Sequence, residues 1–215
     1  MEGLQSNGLK AVSIPLLTIE KIDTSIPAFK DSVIFVSPNA VQFAHNLVNK
    51  EHWQSLNQLS VYCIGKATAE ALSNLGITNV EYPVRTTSED LLSLKNLLNC
   101  KNKSISLISG LGGRDTIESE LTRRGAHVTK FEVYQRVAVP CQNIHDNLPT
   151  NSLEAIWVIS SNEALQHLSH CLDKPVKLLV TSERLENIAR QLEHTIVKRS
   201  QSALTEDIIR SAMSL

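Results

Sequence analysis

The sequence predicts an α/β protein made of two similar parallel-sheet domains, one of them discontinuous, joined by a two-stranded β linker with a cleft between the domains. Three observations lead there. Short β-branched runs alternate with amphipathic stretches, the second half repeats motifs of the first in the same order, and aromatic residues are scarce. With two Trp, three Tyr and four Phe among 215 residues, core volume must come from Leu, Ile, Val and Ala, which suits parallel strands covered by helices. A hydrophobic content of 42% is enough to bury such a core.

In chain order, strand-like runs fall at residues 32–36, 61–64, 105–108, 155–159 and 178–181, each followed by small polar residues. Residues 40–48, 67–75, 116–124 and 185–192 space their apolar positions three and four apart, the period of a helix with one buried face. The alternation is that of successive βαβ units.

The halves align at three places: Val36-Ser37-Pro38-Asn39 with Ile159-Ser160-Ser161-Asn162, Ile64-Gly65-Lys66-Ala67-Thr68 with Val180-Thr181-Ser182-Glu183-Arg184, and Ser88-Glu89-Asp90-Leu91-Leu92 with Thr205-Glu206-Asp207-Ile208-Ile209. The strand, Gly-rich turn, helix and strand of residues 104–134 have no counterpart after Thr205. Part of one lies at the N-terminus, where Leu4-x-x-x-Gly8 followed by residues 12–17 matches Leu121-x-x-x-Gly125 followed by residues 128–133. One domain is therefore expected to be continuous over residues 28–131. The other combines residues 1–19 with 138–215, and linker strands are expected near residues 16–20 and 132–137.

Several function classes are set aside by composition. No apolar run approaches the roughly 18 residues of a membrane span, and the first ten residues lack the pattern of a secretion signal, so the expectation is a cytoplasmic protein without membrane contact. A solute-binding protein of the secreted type, which shares two hinged α/β domains, is ranked last for that reason. A formal net charge of −1 offers no general nucleic-acid surface. Cys63, Cys100, Cys141 and Cys171 are widely spaced without a C-x-x-C pair, so buried or incidental thiols are expected instead of a disulfide framework or zinc knuckle.

In a parallel sheet, ligands meet the carboxyl ends of strands, where helix N-termini present unpaired N–H groups. Five such turns are rich in small polar residues: Ser37-Pro38-Asn39, Gly65-Lys66-Ala67-Thr68, Ser109-Gly110-Leu111-Gly112-Gly113-Arg114, Ser160-Ser161-Asn162 and Thr181-Ser182-Glu183-Arg184. Helix capping explains any one of them. Together they describe a surface for several carboxylates, to which Lys66, Arg114 and Arg184 add local positive charge.

Other chemistries lack their signatures. Gly110-x-Gly112-Gly113 fails as a dinucleotide motif because Asp115 stands at the third glycine position, and no Walker, G-x-S-x-G or H-E-x-x-H pattern occurs. His167 and His170 beside Cys171 invite a metal reading, but the two histidines more simply occupy the partly solvated face of the helix after Asn162, and neither metal nor cofactor is expected. Tyr134 stands where the continuous domain hands over to the linker, and its phenol is a general-acid candidate if it meets a leaving group in the cleft.

Residues 34–41, the Ile64-Gly65-x-x-Thr68 turn, Ser109-Gly110 onward, Val133-Tyr134-Gln135-Arg136, Val158-Ile159-Ser160-Ser161-Asn162 and the Thr181 turn together resemble the uroporphyrinogen-III synthase family over nearly the whole chain. The resemblance implies a cofactor-independent lyase that binds a linear tetrapyrrole, hydroxymethylbilane, through its acetate and propionate groups. It closes this substrate to uroporphyrinogen III for haem and sirohaem synthesis, with loss of water and inversion of the last ring. It implies that Tyr134 assists the departing hydroxyl. Substrate contacts are implied for Ser37, Pro38, Asn39, Gly65, Lys66, Thr68, Gly110, Gly112, Arg114, Ser160, Ser161, Asn162, Ser182 and Arg184.

A monomer with a transient contact to the preceding pathway enzyme is expected. A non-catalytic module binding a tetrapyrrole or another polycarboxylate is the alternative. In one respect the chain departs from the family pattern: it opens at Met1 inside the first helix, without the strand ending in Arg-Pro that usually precedes it. By the repeat, that strand would correspond to residues 105–109 and lie inside the sheet of the discontinuous domain.

Overall fold

The computed structural model describes residues 2–150 and 154–215; Met1, the opening position named above, lies outside them. The first elements are α1 (Glu2–Ser6), β1 (Leu17–Lys21), β2 (Ser32–Phe35), α2 (Pro38–Leu47), α3 (Lys50–Gln54), a 3-10 turn (Ser55–Gln58) and β3 (Ser60–Cys63). Next come α4 (Lys66–Asn74), β4 (Val80–Glu81), α5 (Ser88–Leu92), α6 (Lys95–Leu98), β5 (Ser104–Gly110), α7 (Thr116–Arg123) and β6 (His127–Ala138). The chain continues through α8 (Cys141–Asp146), β7 (Ile156–Ile159), α9 (Asn162–Cys171), β8 (Lys177–Val180), α10 (Glu183–Gln191), β9 (Thr195–Arg199) and α11 (Thr205–Met213). No helix of the described residues is long and apolar enough to cross a membrane.

Contacts divide the chain into two compact units, one formed by Ile19–Arg136 and the other by the segment up to Thr18 with Val137–Leu215. The chain passes from one unit to the other inside β1 and again inside β6.

The Ile19–Arg136 unit carries a sheet of order β1-β6-β5-β2-β3-β4, in which β6, β5, β2, β3 and β4 run parallel to one another. All four residues of β2 are buried because both faces are covered. Val33 and Phe35 join Trp53, Leu56 and Val133 on one side, while Ile34 joins Leu91, Leu107 and Leu121 on the other. Arg124 fastens α7 to α5 and α6: its guanidinium donates to the carbonyls of Leu92 at 2.6 Å and Leu97 at 3.0 Å and pairs with Glu120 at 2.8 Å.

The other unit carries the parallel sheet β7-β8-β9. Leu178 and Val180 pack with Leu165, Leu168, Leu185 and Ile144 on one face. On the other face Ile156, Val158 and Leu179 line a groove of about 1390 Å³, bounded also by α1, residues 9–14 and α11.

Apart from α3 and the 3-10 turn, which stand only in the first series, the repeat holds at the level of element succession, β2-α2-β3-α4-β4-α5 against β7-α9-β8-α10-β9-α11, with one adjustment of register. Ser37 and Ser161 each cap a helix, as do Gly65 and Ser182, so Ser37 corresponds to Ser161 and Gly65 to Ser182, one residue off the sequence alignment. The N-terminal match keeps its register. Gly8 and Gly125 both adopt φ values of the left-handed region, +82° and +86°, and each ends a helix with a bond from the next amide to the carbonyl of Leu4 or Leu121. After Gly125 the chain enters β6, whereas residues 9–16 form no ladder among the described residues.

One sequence expectation is overturned. Cys141 and Cys171, 30 residues apart, form a disulfide, because α8 and α9 pack side by side around Ile144 and Leu168. Cys63 and Cys100 are buried free thiols, as expected.

Candidate active site

In the Ile19–Arg136 unit, β5, β2 and β3 are neighbours, so the turns after them share one sheet edge. Ser37 has extended backbone and caps α2, its Oγ accepting the Ala40 N–H at 3.0 Å. The same oxygen lies 3.1 Å from the Tyr134 phenol oxygen, a pairing of residues 97 positions apart. Tyr134 is only 3% exposed, so its ring is not offered to a ligand directly. It stacks on Phe43 with centroids 5.8 Å apart and lies over Gly110, where a Cβ would come within 2.4 Å of the ring. A register shift between Ser109 and Gly110 sets Gly110 opposite Tyr134, and the Leu111 amide donates to the Tyr134 carbonyl at 2.8 Å.

A hydroxyl has two acceptor sites and one hydrogen. If the Ala40 amide and the Tyr134 phenol fill the acceptor sites of Ser37, its own hydrogen points outward as a donor. Beside it, Gly65 caps α4 without a side chain, and Lys66 is exposed with an ion pair to Glu70 at 3.6 Å. Beneath that turn the Cys63 thiol donates to the Gly65 carbonyl; burial pushes its pKa up to about 11, so this sulfur is no nucleophile.

Of the remaining expected contacts in this unit, Pro38 and Asn39 are exposed in the first turn of α2, while Gly112 (φ +74°) and Arg114 are exposed beyond β5. Thr68 departs from expectation. It is buried at the third position of α4, where the helix turns its side chain inward.

In the other unit, Ser161 and Ser182 cap α9 and α10 from the ends of adjacent strands, accepting the amides of Ala164 at 3.2 Å and Leu185 at 3.3 Å. Ser160 and Arg184 are exposed. Asn162 opens α9 with its buried side-chain oxygen lacking a partner among the described residues. Each cap leaves amides of its helix's first turn free to meet an anion, aided by the helix dipole.

The structure thus brings Ser37, Tyr134 and Gly110 into contact, and sets Ser161 and Ser182 on neighbouring turns. Sequence reasoning missed Phe43, whose only signal is an apolar position in an amphipathic helix.

Three comparisons bear on what such an arrangement belongs to. The family model described as "Uroporphyrinogen-III synthase HemD" matches residues 1–209. The uroporphyrinogen-III synthase of Escherichia coli (strain K12) is 32% identical over 196 residues, covering 84% of this chain and 78% of that protein. That of Proteus mirabilis is 35% identical over 131 residues, covering 60% and 63%. Among solved structures, the uroporphyrinogen-III synthetase of Helicobacter pylori 26695 superposes with a TM-score of 0.73 at 14% identity, covering 93% of this chain and 90% of that one. A mutant uroporphyrinogen III synthase of Thermus thermophilus gives 0.57, also at 14% identity, covering 97% and 90%. The structural likeness shows the fold, and the sequence matches show the lineage: this chain belongs to the uroporphyrinogen-III synthase family, cyclising lyases that work without a cofactor.

Proposed function

We propose that this chain closes hydroxymethylbilane to uroporphyrinogen III, with the Ser37–Tyr134 pair serving the departure of the terminal hydroxyl. The observation that carries the assignment of roles is the 3.1 Å contact between the two hydroxyls. Tyr134 is a positioning residue in this reading. Its phenol donates to Ser37, which donates in turn to the leaving oxygen, and each donor polarises the next. Loss of that hydroxyl as water leaves an azafulvene that attacks the substituted carbon of the last ring, and a spiro intermediate then rearranges with this ring inverted.

The substrate can also close spontaneously to the uninverted isomer, so holding it in one folded conformation is the protein's main task. The amides and hydroxyls at Ser37, Gly65, Ser161 and Ser182, with Pro38, Asn39, Ser160, Asn162, Gly112 and the cations Lys66, Arg114 and Arg184, are assigned to the carboxylates. Thr68 serves the α4 turn from within. A monomeric state, a cytoplasmic location and a transient contact with the enzyme that supplies the substrate belong to the same proposal, the last because a self-reacting substrate gains from a short transit.

The test is an isomer assay. Hydroxymethylbilane generated in the presence of the protein should yield mostly type III uroporphyrin after oxidation. Type I alone would favour a binding module. In the same assay, Tyr134→Phe should keep its KM and lose roughly 100-fold in kcat, the lower end of the range for a proton-donating group. Wild-type turnover and isomer ratio in that variant would end the role given to Tyr134.

A further inference from the structure

Away from the strand-end turns, α8 and α9 bring together Cys141, His167 and Cys171, with one ligand atom of each within 4.8 Å of the others. Two of the three lie four residues apart on α9, hence on one helix face. The third, which no sequence spacing announces, comes from α8. The Cys171 sulfur lies 3.8 Å from the His167 Nδ1 and 3.5 Å from its Nε2, so it faces both ring nitrogens. Of the two, Nε2 is 2.7 Å from the Val139 carbonyl oxygen, which can only accept, so Nε2 carries the hydrogen and Nδ1 keeps its lone pair. That is how a metal-binding histidine is usually held, with one N–H on a backbone carbonyl and the other nitrogen on the ion.

We propose that reduction of the Cys141–Cys171 disulfide converts this cluster into a site for a single zinc ion, held by both sulfurs and His167 Nδ1 with a fourth position open to water. A tetrahedral ion with bonds of ~2.3 Å to sulfur and ~2.1 Å to nitrogen sets its ligand atoms about 3.6–3.8 Å apart. The 3.8 Å between Nδ1 and the Cys171 sulfur is close to that value. The two sulfurs must part, from bonded neighbours to ligands of one ion, and the imidazole must tilt so that Nδ1 instead of Nε2 becomes the nitrogen nearer to them.

A dithiol reductant supplies the two electrons and two protons that turn the disulfide into two thiols, and is itself oxidised to a cyclic disulfide. Zinc then displaces both thiol protons to solvent as the thiolates bind. Disulfide and zinc site exclude one another, so the same three residues brace α8 against α9 in either redox state. Two thiolates and an imidazole favour zinc over calcium or magnesium, which take oxygen ligands.

The experiment uses the whole protein in both redox states. After reduction with a dithiol and its removal without oxygen, cobalt(II) should bind with one equivalent and give sulfur-to-cobalt charge-transfer absorption, which zinc abolishes on addition. The oxidised protein should show neither. Cys141→Ser should lose the charge-transfer band, and His167→Ala should weaken binding by at least about 10-fold, the scale found even for outer-shell partners. The proposal fails if the reduced wild type binds no cobalt, if the oxidised form binds it equally, or if the band survives in Cys141→Ser. The wild-type comparison between redox states needs no variant to fold.

Discussion

The two units follow the same succession of strands and helices yet fill their sheets differently. In the Ile19–Arg136 unit, β5 sits between β2 and β6 with six of its seven residues buried, so the sheet has a core on each face. In the other unit, β7 has one buried residue of four and pairs only with β8 among the described strands, and one face of the sheet borders a groove. A βαβ pattern thus secures the direction of the strands, while packing depends on what stands in the middle of the sheet. An inner strand contributes to two faces at once.

The largest test of this contrast is Leu165→Ala, which empties a fully buried position in the β7-β8-β9 unit. A loss of about 3 kcal/mol is expected. Hydrogen exchange should show it in that unit alone, since residues in separate cooperative regions report separately. Equal loss in peptides of Ile19–Arg136 would show that the two unfold together.

Next in size is Gly110→Ala in the fully packed unit. Its new Cβ meets the Tyr134 ring, at an expected cost of about 2 kcal/mol in thermal denaturation, with a fall in turnover as the Ser37 contact is displaced. Unchanged stability would mean that the ring yields freely, which a densely filled core does not allow.

Smaller still are the paired cap variants. Ser161→Ala should cost about 1 kcal/mol in chemical denaturation. Ser37→Ala should cost more, because it also leaves the buried Tyr134 phenol without its partner. Equal losses would erase the distinction between the two caps.

The smallest effects concern pH. Burial lowers the pKa of His194, whose Nδ1 accepts the Val176 amide and whose Nε2 meets Ser169. The folded state therefore prefers the neutral ring, and the β7-β8-β9 unit should lose stability as pH falls below about 6.5, where the unfolded chain takes up the proton first. In the other unit, hydrogen bonds from Arg123 and then Arg124 hold Glu120 at about 2 against an ordinary 4.5, so the corresponding loss comes only between those values as pH falls. Denaturation followed by hydrogen exchange at pH 7, 5.5 and 3.5 checks the order. Simultaneous loss would contradict it.

Much of this was legible from the residues. Strand runs with helical partners announced β2, β3, β5 and β8, because burial on both faces demands continuous apolar residues, whereas the inner β6, with alternating burial, was expected only within the unit of residues 104–134 and as a linker strand. The two-residue β4 and the half-exposed β9 have no such run and went unnoticed. The repeat was visible, but its register was one residue out because Ser160 and Ser161 are chemically alike and only the cap geometry tells them apart. Contacts between distant segments stayed hidden: Ser37 with Tyr134, and Cys141 with Cys171 and His167, join residues whose spacing follows no local period. Thr68 was misjudged for a related reason, since a hydroxyl near a helix start can face inward as readily as outward.

The interrupted unit also carries a consequence for biosynthesis. Its first segment, up to Thr18, leaves the ribosome well before Val137–Leu215, the remainder of the sheet it packs with. At ~5–20 residues per second, translating the intervening Ile19–Arg136 stretch takes on the order of ten seconds, ample time for that stretch to complete its own sheet. Meanwhile Ile14 and Leu16 have no mate from their own unit. Nascent chains should therefore pass through a stage in which the insert is finished and its host is not, and a chaperone that shields short apolar segments would act on the host first.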